Sequence, residues 1–143
     1  ELGGMKALRA AGAAGFTYDG IPMMEEATAR AAVEAAAAEG VPISFHEENP
    51  AFIKNNGINA GRASAHFGIG GSDRQAEIAM VERDVRLAEE TGACVVIQHI
   101  STKEAVELVR QARQKGADVH AEATPHHFTL TEEAAIQYGT LRR

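Results

Sequence analysis

The chain has 143 residues, 45% of them hydrophobic and 24% charged, with 14 Lys and Arg against 20 Asp and Glu and a formal net charge of −6. That balance describes one globular unit with no electrostatic footprint for nucleic acid or an anionic membrane. No run approaches the ~18 apolar residues of a membrane-spanning helix. The single cysteine, Cys94, excludes an intrachain disulfide and fits a reducing, cytoplasmic setting.

Helix and strand signals alternate along the chain. Gly3 to Ala11 favours helix, and Ala13 to Tyr18 is a short apolar, β-forming run that stops at Asp19-Gly20. Glu25 to Glu39, rich in Ala and Glu, is the strongest helix, closed by Gly40. Val41 to Phe45 is the next strand, with Pro42 tolerated near its start. A stretch rich in Gly and Asn follows to about Gly71, with a short helical pattern around Gly61 to Phe67. Ser72 is placed to cap a long helix through Glu90, ended by Gly92. Ala93 to Ile97 is continuously apolar, as in a strand buried on both faces, which makes Cys94 an inert core residue. Ser101 and Glu104 have capping-box spacing before a helix from Thr102 to Lys115, and Gly116 ends it. Ala117 to Ala123 is the fourth strand, and Thr131 opens a last helix.

This rhythm specifies an α/β fold of βαβ units around a parallel sheet. Two architectures qualify: an open doubly wound sheet, or an arc of a (β/α)8 barrel, of which 143 residues are roughly half the ~250 needed. The chain starts at Glu1 and ends in Thr140-Leu141-Arg142-Arg143 after a helix-like stretch. It is therefore expected to be a segment of a longer protein.

Three successive strands end on residues able to bind a metal: Asp19, His46 and His99. Function gathers at the carboxyl ends of parallel strands, so the topology would bring these three together. Imidazoles with a carboxylate suit zinc and similar ions, and a carboxylate can bridge two of them. Against that, a histidine at a strand end is commonly only polar rim, and Asp-Gly is first a turn signal. His66 reads as solvated, His120 as a strand residue, and Gly68 to Ser72 as a flexible loop without P-loop chemistry. His126 and His127, if extended, point to opposite sides. Glu47 is a candidate to orient an imidazole from behind the ligands, and His127 a weaker one, for which packing or solvation is the commoner role.

Phe16 to Gly20, Phe45-His46-Glu47-Glu48, Ile97-Gln98-His99-Ile100-Ser101-Thr102-Lys103 and Ala121 to Phe128, with its Thr-Pro-His-His core, together resemble the dihydroorotase family of the cyclic amidohydrolases. The resemblance covers essentially the whole chain in order. It implies about strands four to seven of a distorted (β/α)8 barrel with zinc at its carboxyl end. The activity implied is interconversion of N-carbamoyl-L-aspartate and dihydroorotate in pyrimidine biosynthesis. Asp19 then takes the place of a carboxylate bridging two Zn2+ per full-length chain, and His46 and His99 bind the second ion. Hydantoinases carry a carbamylated lysine where Asp19 stands. Tyr18 departs from the family's usual aspartate at that position, which leaves an allantoinase-like relative open.

The first-strand His-x-His pair, the late aspartate acting as general acid and base, and the Arg and Asn that hold the substrate carboxylate are not in this sequence. No catalytic residue is therefore expected within it, and the segment alone is expected to show no turnover. The competing reading is a non-catalytic, dihydroorotase-like scaffold for aspartate carbamoyltransferase. A homodimer is the other partner considered, with a small-molecule substrate and no nucleic acid or membrane. A third reading is an open-sheet binding domain.

Overall fold

Each strand run contributes only three residues to the sheet in the computed structural model, which describes residues 3–139. The strands are β1 Phe16–Tyr18, β2 Ile43–Phe45, β3 Val95–Ile97 and β4 Val119–Ala121. The helices are α1 Met5–Ala10, α2 Glu26–Ala38, α3 Arg62–Phe67, α4 Gln75–Thr91, α5 Lys103–Gln114, α6 Pro125–Thr129 and α7 Glu132–Tyr138, with a 3-10 turn at Pro50–Phe52. The reading of residues 140–143 lies outside the described residues, although Gly139, at φ 65°, ends α7.

The strands run parallel in the order β1-β2-β3-β4. A doubly wound sheet reverses its order at a switch point and carries helices on both faces. Here neither occurs. Ile43, Phe45, Val95, Ile97 and Val119 are buried in one cluster with α2, α4 and α5. The row Thr17, Ser44, Val96 and His120, paired in register across all four strands, faces the other way and is half-buried or exposed. The layer is therefore one-sided, an arc of a barrel rather than an open sandwich. Ala93 to Ile97 alternates between buried and half-buried, so the strand is not covered on both faces. In the inward row Val96 is the apolar member, beside Thr17, Ser44 and His120.

The helices bury narrow faces. In α2 these are Ala29, Ala32, Val33 and Ala36, spaced i, i+3, i+4, i+7, and their small side chains let the helix lie close on the sheet. α5 buries Ala105, Val109 and Ala112, spaced i, i+4 and i+7. Two caps differ from expectation. Thr102, not Ser101, caps α5, its hydroxyl accepting from the Ala105 amide. Ser72 lies in two short bridges instead, to Ile53 and Asn59, while Asp73 accepts from the Gln75 amide where α4 begins. Gly92 ends α4 in the left-handed conformation, φ 70°.

Candidate metal centre

Backbone pairing carries the strand register into the loops beyond it. The His46 amide donates to the Tyr18 carbonyl at 3.2 Å, and the Gln98 amide to the Phe45 carbonyl at 3.1 Å. The ends of β1, β2 and β3 are thereby held side by side, and the side chains that follow meet. His46 Nδ1 lies 2.9 Å from His99 Nε2 and 4.0 Å from Asp19 Oδ1. The rings are edge-on, with centroids 4.7 Å apart. The His46 side chain is 17% exposed and that of Asp19 71%, so the pair sits at a rim with the carboxylate on its open side.

Among the described residues, His99 is the one non-glycine residue with positive φ, at 37°. An L-residue in this region costs about 1–2 kcal/mol, and such conformations concentrate at functional sites. The chain after it is tied down by Glu77 of α4. This carboxylate accepts from the Ser101 and Thr102 amides, at 3.0 and 2.8 Å, and from both hydroxyls, at 2.6 and 2.7 Å.

Gln98 lies beneath the pair. Its Nε2 donates to Thr17 Oγ1 at 2.8 Å and to Ser44 Oγ at 2.9 Å, joining all three ligand-bearing strands. Replacing Gln98 with Leu should cost about 1 kcal/mol for the lost hydrogen bonds. It should also weaken metal retention roughly tenfold, as support for ligands usually does. Urea unfolding and metal analysis after dialysis of the variant check both, and unchanged retention would show the ligands to be held independently.

Of the two residues expected behind the His46–His99 pair, Glu47 faces elsewhere, while His127 lies close enough to His99 to interact with it. Glu47 points away from His46, toward α4, and is 3% exposed with neither carboxylate oxygen hydrogen-bonded. Glu48 takes the role instead, its Oε2 3.2 Å from His46 Nε2. Alternation along an extended chain contains that signal, because residues i and i+2 share a face and i+1 does not. Burial, then the charge of Asp84, pushes the Glu47 carboxyl well above its usual range. Asp84 is fully buried and forms a bidentate pair with Arg83, at 2.6 and 2.8 Å, and Arg83 also donates to the Met23 carbonyl.

His127 lines a groove with Ile100, Thr102 and Phe128. Its Nδ1 is buried there without a hydrogen-bond partner. Burial, then the neighbouring His126, holds its imidazole below the usual range. The His126-His127 stretch is helical, not extended, and the two rings stack edge-on, 4.4 Å apart. His66, on α3, is exposed.

The donors fit a metal by one test of distance. Two nitrogens on one zinc at ~2.0–2.1 Å and a tetrahedral angle stand ~3.3–3.4 Å apart. The His46 and His99 nitrogens, at 2.9 Å, need to separate only slightly, and their shared proton must leave. The three ligand atoms are nonetheless not yet closed around one point. Among the described residues, the group of three such side chains whose ligand atoms all lie within 4.8 Å of one another is Cys94, Asp118 and His120.

No protein-family model matches the chain. Among curated proteins, it is 49% identical over 140 residues to a dihydroorotase of Clostridioides difficile, covering 98% of this chain and 33% of that protein. It is 41% identical, with the same coverage, to one of Clostridium acetobutylicum. Among solved structures, a D-hydantoinase superposes with a TM-score of 0.74 at 22% identity over 95% of this chain and 31% of its own. The L-hydantoinase of Arthrobacter aurescens gives 0.72 at 24%, over 94% and 32%. The fold is thus a segment of the barrel that hydantoinases share. Over that segment the sequence is similar to curated dihydroorotases, at 49% and 41% identity. The chain spans about a third of the length of the curated relatives it matches.

Proposed function

We propose that this chain is the central part of a single barrel domain in a zinc-dependent dihydroorotase, interconverting N-carbamoyl-L-aspartate and dihydroorotate. The observation that carries the reading is the meeting of His46, His99 and Asp19 at the ends of three adjacent strands, in a chain 49% identical to a dihydroorotase. Asp19 is assigned as the carboxylate between two zinc ions, with His46 and His99 on one of them.

The hydrogen bonds support a choice of ligand atoms. Glu48 accepts from His46 Nε2–H, so His46 offers the Nδ1 lone pair to the centre. The proton between the rings then belongs to His99 Nε2 and leaves when that nitrogen becomes a ligand. Bound zinc would supply Lewis-acid polarisation of the ring amide carbonyl and lower the pKa of a bound water. The protein's part is to hold neutral imidazoles on the electrophilic ion, through Glu48 and the Gln98 bridge, and to set the spacing through Asp19. The proton-transfer group and the substrate-carboxylate clamp belong to the remainder of the enzyme.

The test is elemental analysis of the full-length protein together with turnover of dihydroorotate. Near two zinc ions per chain are expected, falling in both His46→Ala and Asp19→Ala along with activity. Metal-free protein that still folds would replace this reading with the scaffold one, and turnover of allantoin or hydantoin in place of dihydroorotate would move the substrate.

A further inference from the structure

The face that carries the ligand pair at one end carries a second group of ligating side chains at the other. Cys94 immediately precedes β3, Asp118 immediately precedes β4, and His120 lies within β4 in the inward row. Their ligand atoms all fall within 4.8 Å of one another, with Cys94 half-buried and the other two exposed. Asp118 Oδ1 is 2.9 Å from His120 Nε2. These residues stand at the amino-terminal edge of the sheet, away from the strand ends where His46 and His99 meet.

From this geometry we propose a second, structural cation site formed by Cys94, Asp118 and His120, which takes a borderline or soft divalent ion of the zinc or cadmium type. A thiolate, an imidazole and a carboxylate make a donor set for such ions and a poor one for magnesium or calcium. Three protein ligands leave one position for water. The ion would join the starts of β3 and β4, at the rim where barrel residues serve stability rather than catalysis.

The three side chains already interact with one another as neighbouring ligands would. Burial, then the Asp118 carboxylate, raises the Cys94 thiol. His120 and then Cys94, as hydrogen-bond partners, lower Asp118. Binding exchanges the thiol proton for the cation and releases that proton to solvent. It also puts the imidazole proton of His120 on Nδ1, which now lies 3.3 Å from Arg113 Nη1. Arg113 must turn from the ring, and it keeps the Val119 carbonyl, 2.7 Å from the same Nη1, as a partner.

Titrating the full-length protein with cadmium tests the site through the thiolate-to-metal charge-transfer band in the ultraviolet. Oxygen and nitrogen ligands do not produce this band, and the Cys94-dependent part is the difference from Cys94→Ser. One cadmium per chain is expected in that difference, competed by zinc and unaffected by His99→Ala. Asp118→Asn and His120→Ala should each weaken it roughly tenfold or more, since even outer partners of metal ligands cost that much. Circular dichroism of each variant checks that it folds. Absence of a Cys94-dependent band would overturn the site. A band whose affinity neither variant changes would overturn it too, because it would belong to a lone thiol.

Discussion

His99→Gly and His99→Ala in the full-length protein should both lose bound metal and activity, yet the glycine variant should be the more stable by about 1 kcal/mol. Both remove the imidazole and its contact with His46. Only glycine relieves the backbone, which His99 holds at φ 37° and which alanine would leave strained. Activity should fall by about 10³-fold or more. An electrophilic ion is worth several kcal/mol to the transition state, and each 1.36 kcal/mol is tenfold. Urea unfolding of the two variants, with metal analysis and turnover, checks all three quantities. Equal stability would remove the backbone argument, and retained metal would remove His99 from the ligand set.

Glu47→Gln should raise stability near neutral pH, because it removes the ionisation of a buried carboxyl beside Asp84. The carboxylate is 3% exposed and faces Asp84, with the Arg83 guanidinium as partial compensation. Its folded-state pKa is raised, so the folded chain holds this proton after the unfolded chain has released it. The contribution to stability is complete below the ordinary value of 4.5. It declines as pH rises from there toward the folded-state value. The amide variant does not titrate and should lose that decline, while its NH2 group can donate to Asp84. Unfolding midpoints measured from mildly acidic to neutral pH give the test. Parallel curves for parent and variant would show that Glu47 ionises without cost.

The alternation of helix and strand was legible because glycines punctuate it and the alanine-rich helices have a clear period. The meeting of Asp19, His46 and His99 was legible because parallel strands deliver their carboxyl ends to one rim. What lay outside the sequence signal depends on faces and loops. Glu47 and Glu48 are adjacent and chemically alike, and only the pleat decides which meets His46 and which is driven against Asp84. Cys94 looked like core because its neighbours are apolar, but it stands outside β3 beside two polar side chains from the next strand. Glu77 could not be read as the anchor of residues 101–102, because it reaches them from 24 and 25 positions away. The positive φ of His99 belongs to a tight turn whose residues include no glycine or asparagine to announce it.

The Gln98 bridge also bears on the order of folding. Its two hydrogen bonds close chain separations of 54 and 81 residues, and contacts of such range form late because closure entropy is lost before they contribute. The ligands ride on the same three strands. A growing chain that has made only β1 and β2 therefore has Asp19 and His46 without the third ligand or the amide that fixes their spacing. Under the proposed function, ion capture would wait until β3 brings His99 beside His46.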